Sequence, residues 1–180
     1  MSACTSACKN LARPLRRWNK CMTEKTPKLD KDPEIELRPL TSDNLAECVE
    51  FIRSNKEHFS DFSSVSPEGY RDILLNARIM SVWGIYSNKT LVGIINLKPV
   101  PSEPATKEVG YLVGESWRGR GVAPIAVKKL IQSATNYRSF ISITNSRDSA
   151  SKKVLEKSGF ILERYTNEGN TLFRYNRRLN

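Results

Sequence analysis

Glu108-Val109-Gly110-Tyr111-Leu112-Val113, then Gly114-Glu115-Ser116-Trp117, then Arg118-Gly119-Arg120-Gly121-Val122-Ala123 and Pro124 to Ile131, decide how this 180-residue chain folds. Val109, Tyr111 and Val113 alternate with Gly110 and Leu112, the two-residue period of a strand. Ala123, Val127, Leu130, Ile131 and Ala134 then recur as one apolar stripe of a helix, with Lys128, Lys129, Gln132 and Ser133 on the opposite side. Pro124 suits the first helical turn, where its missing N–H leaves no intrahelical bond unmade. The stretch reads strand, loop, glycine-bearing turn, helix.

That turn has a chemical use. The first N–H groups of a helix have no internal partner, and the helix dipole places partial positive charge there. Gly119 and Gly121 let backbone approach a ligand closely. Arg118 and Arg120 add full charge and planar donors. Together they suit a pyrophosphate or a similar anion. Two commoner phosphate loops are excluded by spacing. A P-loop needs Lys-Ser or Lys-Thr after its second glycine, where Val122-Ala123 stands. A dinucleotide fingerprint needs a third glycine at position 124, which is Pro124.

Outward from this stretch, periodicity assigns the rest of the chain. Upstream, Ile35 to Leu40 alternates as a first strand, and Thr41 or Ser42 can cap a helix whose stripe is Leu45, Cys48, Val49 and Ile52. Asn55 to Ser66 is a polar loop. Ser66-Pro67 opens a second helix with Tyr70, Ile73, Leu74 and Ala77 on its buried face. Met80–Tyr86 and Leu91–Leu97 form a hairpin around Ser87-Asn88-Lys89, and the near-continuous apolar run Leu91 to Ile95 suggests a strand covered on both faces. Pro99, Pro101 and Pro104 make Lys98 to Thr106 a loop.

Downstream, Phe140 to Thr144 is a strand with Ile141 and Ile143 alternating against Ser142 and Thr144. Ser149 to Ser158 is a short helix stopped by Gly159. Phe160–Tyr165 and Thr171–Asn176 close the chain around a polar Asn167-Glu168-Gly169-Asn170 turn. This order predicts an α/β fold, a mixed and mostly antiparallel central sheet flanked by helices. The unit from 108 to 144 is expected to be a parallel crossover, with a ligand crevice where its two strands splay.

Composition narrows the class. The net charge is +10, and half of it lies in residues 1–33, which carry eight Lys/Arg against three Asp/Glu. These residues lack periodicity and read as a basic, disordered extension ahead of a domain at 34–180. Their first twenty residues have transit-peptide-like composition; a mobile basic tail, or translation from Met22, are the alternatives. The milder charge of the rest suits an anionic cofactor without implying nucleic acid. No apolar run approaches the roughly 18 residues of a membrane span. The four cysteines, at 4, 8, 21 and 48, form no C-x-x-C pair and there is one histidine. That argues against zinc and against a disulfide scaffold, and fits a reducing, cytoplasmic setting.

A family resemblance joins these features. Arg118-x-x-Gly121-x-Ala123 after a strand resembles the acyl-CoA pyrophosphate loop of the GNAT acetyltransferase superfamily. Ser151-Lys152-Lys153-Val154-Leu155-Glu156-Lys157-Ser158-Gly159-Phe160 is similar to the Ser-x-x-Val-Leu-Glu-Lys-x-Gly-Phe segment of its ribosomal-protein N-terminal (Rim-type) branch. Ile35 to Leu40 and Asn55-Lys56-Glu57-His58-Phe59 are similar to that branch's opening strand and first helix end. The resemblance implies the GNAT-type acyl-CoA N-acyltransferase fold, acetyl-CoA as co-substrate, no metal, and a primary amine as acceptor.

It also implies roles for individual residues. Pantetheine is expected along Tyr111, Leu112 and Val113, whose backbone can pair with its amides as a strand would. The Val113 N–H, or its neighbour, would polarise the thioester carbonyl, worth about 3 kcal/mol. The pyrophosphate would rest on Arg118, Gly119, Arg120, Gly121, Val122 and Ala123. Ser151 matches the position that serves the departing thiolate; it is equally a serine in a helical first turn. Two positions depart from the pattern. Leu155 stands where many GNAT enzymes carry a tyrosine acid, and Asp148 stands where asparagine is usual near the cofactor. Glu108 ranks first as general base, ahead of Glu168, and each is otherwise a surface carboxylate. His58, Phe59, Phe62 and Tyr70 would wall the acceptor groove, or pack in the core.

A peptide α-amine, with a pKa of about 8, loses its proton more readily than a lysine at about 10.4. The resemblance to the Rim-type branch implies that the acceptor is a protein N-terminus, of ribosomal-protein type. A polyamine or antibiotic amine is the alternative within the enzyme class, and a non-catalytic acyl-CoA-binding module the alternative outside it. The protein is expected as a monomer or homodimer.

Overall fold

A computed structural model describes residues 33–55, 67–76 and 80–178. The elements run β1 (Ile35–Pro39), α1 (Leu45–Ser54), α2 (Pro67–Leu75), β2 (Ser81–Ser87), β3 (Thr90–Pro99), β4 (Thr106–Val113), α3 (Val122–Ser133), β5 (Ser139–Asn145), α4 (Ser149–Lys157), β6 (Ile161–Tyr165) and β7 (Asn170–Asn176). One short 3-10 turn, Glu115–Trp117, joins β4 to the loop before α3. The strands form one seven-stranded sheet in the order β1-β2-β3-β4-β5-β7-β6. Every neighbouring pair is antiparallel except β4 and β5. The expected mixed sheet with one parallel crossover is what the chain forms.

Alternation along the strands sends apolar side chains to two clusters. Val109 and Val113 of β4, with Ile95, Phe140 and Phe173, pack against Val127, Leu130 and Leu155 of α3 and α4. On the other face Ile94 and Leu112 pack with Leu45, Cys48 and Ile52 of α1 and Leu74 of α2. Val92 through Leu97 are all buried, as expected for a strand covered on both sides. Burial also raises the Cys48 thiol pKa to about 11, with the neighbouring Glu47 carboxylate a lesser cause, so the thiol stays protonated.

The β2–β3 hairpin turns through Asn88 (φ 48°) and Lys89 (φ 68°), both left-handed. Two successive residues with positive φ fit the tight turn that matches strand twist. Asparagine tolerates this conformation; lysine adopts it against its Cβ sterics.

Some local expectations are corrected. Neither Thr41 nor Ser42 caps α1; Asn44 occupies the cap position and makes no side-chain bond to the helix. Its amide bridges the preceding loop instead, accepting from Thr41 N–H at 2.8 Å and donating to the Pro39 carbonyl at 3.1 Å. β5 keeps the alternation read in the sequence, and its two faces differ in cover towards its end. Ser142 is buried at 4 % exposure and Ile143 is 44 % exposed. Among the described residues α1 and α2 lie over β3 and β2, while Ile143 sits further along the sheet. Lys98 and Pro99, expected in a loop, end β3.

Candidate active site

The two parallel strands part early. Their register runs Thr106↔Ser139, Lys107↔Phe140 and Glu108↔Ile141, and stops there although β4 continues to Val113 and β5 to Asn145. Just past the last pair, the buried Ser142 hydroxyl donates to the Val109 carbonyl at 2.9 Å. A side chain thus replaces a ladder bond at the apex of the opening.

Which backbone groups line that opening follows from strand alternation, because successive residues turn their N–H and C=O to opposite edges. Gly114 N–H bonds to the Val92 carbonyl of β3, and the Val109 carbonyl points to β5. Tyr111 and Val113 therefore face the opening with Val109. Leu112 faces β3: a Cβ on Gly93 would sit 2.6 Å from the Leu112 carbonyl. The Leu112 backbone serves the β3 ladder and its side chain packs in the core under α1.

The glycine turn completes this edge. Gly119 (φ 74°) and Gly121 (φ 81°) are both left-handed, the conformation that glycine adopts without steric cost. Gly121 is the N-cap of α3, with no side-chain cap and no acidic residue in the first turn. Ile125 N–H bonds back to Gly121, and Pro124 has none. The amides of Gly121, Val122 and Ala123 thus form a helix N-terminus suited to an anion. Arg118 Nε donates to the Val113 carbonyl at 2.9 Å, tying the turn to the strand end. Arg120 lies over the Trp117 ring at 5.3 Å.

Across the opening stands α4. Asp148 caps it, accepting from Ser151 N–H at 2.9 Å and from the Ser151 hydroxyl at 2.7 Å. The hydroxyl hydrogen is thus committed to Asp148. Tyr111 reaches across from β4, and its phenol donates to the Ser151 carbonyl at 3.2 Å. Burial raises the Tyr111 pKa well above the usual phenol value, so it remains a donor.

On the face beneath α1, Glu108 stands opposite Lys98, with Nζ 3.8 Å from the carboxylate. A groove of about 390 Å³ opens beside Glu108, lined in part by Glu103, Ile143, Glu163, Arg164 and Arg174. Arg174 engages the Glu103 carboxylate with both terminal nitrogens, at 2.8 and 3.1 Å, and also pairs with Glu163. The Arg174 guanidinium, with the Thr106 hydroxyl, holds the Glu103 carboxyl below the usual range.

The structure brings Tyr111, Val113, Arg118, Asp148 and Ser151 around one opening. Glu168 stands apart, exposed in the β6–β7 turn. His58, Phe59 and Phe62 lie outside the described residues, as does the side chain of Tyr70 in α2. Ser142 and Arg174 carried no sequence signal, being single polar residues in strand patterns. Among the described residues no group of three or more His, Cys, Asp or Glu is placed to hold a metal ion, and no helix is long and apolar enough to cross a membrane.

A family model described as an acetyltransferase (GNAT) domain matches residues 34–161. The chain belongs to the GNAT acetyltransferase family. As a GNAT protein it is an acetyl-CoA-dependent N-acetyltransferase.

Solved structures share the GNAT fold at low identity. The ribosomal L7/L12 α-N-protein acetyltransferase RimL, in complex with coenzyme A, is 19 % identical with a TM-score of 0.66, over 79 % of this chain and 93 % of that one. Mycobacterium smegmatis RimJ, with a coenzyme A disulfide, is 16 % identical with a TM-score of 0.66, over 79 % and 81 %. The enzyme AAC(6')-Ib, solved with paromomycin and acetyl-CoA, is 16 % identical with a TM-score of 0.69, over 80 % and 94 %. No curated protein matches the sequence significantly.

Proposed function

We propose that this GNAT enzyme acetylates a protein N-terminal α-amine, in the manner of the Rim-type branch. In this reading the amides of Gly121 to Ala123 and the side chains of Arg118 and Arg120 take the pyrophosphate. The edge groups of Tyr111 and Val113 pair with the pantetheine arm, and the Val113 N–H polarises the thioester carbonyl. These residues fit the group, because β4 presents an edge that β5 leaves open beyond Glu108.

Acetyl-CoA supplies the activated acetyl carbon. Glu108 receives the proton that the amine loses as its nitrogen bonds that carbon. The carbon–sulfur bond breaks and sulfur leaves with the electron pair. Asp148 occupies the Ser151 hydroxyl hydrogen, so Ser151 acts on the sulfur only if that bond is exchanged. Tyr111, a protonated phenol whose one hydrogen goes to the Ser151 carbonyl, could serve as the alternative donor on the same condition.

The observation that favours a peptide over a polycationic small molecule is the charge state of the groove. Its carboxylates do not stand alone: Arg174 engages both Glu103 and Glu163, and Lys98 lies near Glu108. A site for aminoglycosides or polyamines gains from unpaired carboxylates, whereas a single α-amine needs only one acceptor. The test is incubation with acetyl-CoA and a panel of short peptides, polyamines and aminoglycosides, read by intact mass. Acetylated peptide N-termini are expected; acetylation confined to the small amines would overturn the peptide reading.

A further inference from the structure

The large apolar side chains exposed among the described residues are Leu75, Ile143, Ile161, Leu162 and Tyr165. Of these, only Ile143 lines the groove of about 390 Å³ that also holds Glu108. Ile143 is 44 % exposed, whereas Ile141 before it and Leu172 opposite it are buried. An isolated exposed isoleucine on a convex surface needs no explanation. One set in a groove beside the proposed base offers a contact for apolar ligand surface.

Strand register fixes how these residues stand to one another. Glu108 faces Ile141 in the last parallel pair, and Ile141 faces Arg174 of β7. Cross-strand partners share a face, as do residues two apart on one strand. Glu108, Ile141, Ile143, Leu172 and Arg174 therefore lie on one face of the sheet. Ile143 is one strand over from Glu108 and two residues along, so standard strand spacings put their Cα atoms roughly 8 Å apart. The ladder between β4 and β5 has ended by that point. Glu108 and Ile143 thus flank the opening from its two sides.

In an amino-terminal residue the side chain leaves from the carbon that bears the amine. A nitrogen held at Glu108 and aimed into the opening sets that side chain toward β5, where Ile143 stands. The surroundings select its chemistry. Arg174 already engages Glu103 and Glu163. Arg164, opposite Leu172 in the β6–β7 ladder, adds a second guanidinium to the lining. A cationic side chain would meet like charge there. An aliphatic one would take the exposed Ile143 surface out of water and leave no polar group unpaired. Pro99, Val100 and Pro101 extend the apolar lining.

We propose that Ile143 determines specificity by receiving the side chain of the acceptor's first residue, so that the enzyme prefers peptides beginning with leucine, methionine or valine over those beginning with glycine or lysine. This rests on the peptide N-terminus reading given above and narrows it. Ile143 moves no proton; it acts on the acceptor by contact alone.

The experiment uses the full chain, acetyl-CoA and one short peptide made with Leu, Met, Gly, Asp or Lys as its first residue. The unaltered chain should favour the Leu and Met peptides over the Gly peptide by at least tenfold in kcat/KM, the scale of a few methylenes in an apolar site. Most of that difference should lie in KM, since the contact is made before and during the reaction. In Ile143→Ser the Leu-to-Gly ratio should fall at least fivefold. In Ile143→Glu the Lys peptide should overtake the Leu peptide, a change that a merely structural role does not produce. Tm and calorimetric coenzyme A affinity are measured alongside, and both variants should stay folded because the side chain is exposed. A Leu-to-Gly ratio near one in the unaltered chain would overturn this inference and leave the peptide reading standing. A tenfold preference that survives both substitutions would remove Ile143 from the specificity site. Failure of the unaltered chain to acetylate any of the peptides would sink the peptide reading, and this inference with it.

Discussion

Arg118 Nε donates to the Val113 carbonyl at 2.9 Å, so the last residue of β4 is fastened to the turn that opens α3. The bond fixes two expected ligand surfaces relative to each other, the strand edge and the helix N-terminus. It also satisfies the Val113 carbonyl, which faces the opening that β5 leaves beside β4.

Arg118→Ala should therefore weaken coenzyme A binding by about 10- to 100-fold, the range for a charge-assisted hydrogen bond of roughly 1.5–3 kcal/mol. Arg118→Lys should recover only part of the loss, because an ammonium cannot hold the carbonyl and present a planar fork together. Calorimetric titration with coenzyme A measures both. Affinity unchanged in Arg118→Ala would remove Arg118 from the site.

At Gly121 the strain comes from φ, not from crowding. An added Cβ would meet only Ile125 Cδ1, at 4.0 Å, but φ is 81°. Gly121→Ala should cost about 1–2 kcal/mol of stability and leave a folded protein, checked by chemical denaturation. Gly121→Glu should fold comparably and abolish coenzyme binding, since it sets a carboxylate among amides that would receive an anion.

Ser142→Ala removes the donor to the Val109 carbonyl at the apex of the opening. A lost buried hydrogen bond costs about 1–3 kcal/mol, and the expected shift of the urea midpoint should be accompanied by weaker coenzyme binding. A stability loss with coenzyme affinity unchanged would make the bond a fold contact alone.

Lys89 adopts φ 68° in an exposed hairpin turn where glycine has no steric cost. Lys89→Gly, which creates Asn-Gly at the turn, should stabilise the protein by about 0.5–1 kcal/mol without altering turnover. Thermal denaturation and the acetylation rate measure the two parts.

Glu103 links acid stability to the groove. Arg174 and Thr106 lower its folded pKa below 4.5. A depressed carboxyl pKa stabilises the fold above the unfolded value and loses that contribution as pH falls through the folded one. Glu103→Gln should thus lower Tm at pH 7, with the gap to the unaltered chain narrowing below about pH 4.5 and closing once the folded carboxyl protonates. Glu103 is substantially exposed, so added salt should narrow the gap at pH 7 as well.

Local features of the candidate site are legible in the sequence because each depends on neighbouring residues. Gly119 and Gly121 are needed for φ values that only their own turn imposes, and Asp148 caps α4 through a residue three positions on. The interval from strand to turn to helix is set by consecutive residues. What failed to show in the sequence involves residues far apart in it. Ser142 meets Val109 across 33 positions, and Arg174 meets Glu103 across 71. In β5, alternation gives two faces but not which face a helix covers, so the burial of Ser142 and the exposure of Ile143 follow from the assembled sheet.

By itself the amino-acid sequence determined the order of strands and helices, the left-handed glycine turn and the uncapped start of α3, because each depends on backbone sterics and hydrogen bonds within a few residues. Tertiary structure alone decided where β4 and β5 part, which of Tyr111, Leu112 and Val113 present their backbone to that opening, and that Ile143 lines the groove beside Glu108. Those depend on strand register, and register is fixed by which faces the core buries, a property of the assembled sheet and of no single segment.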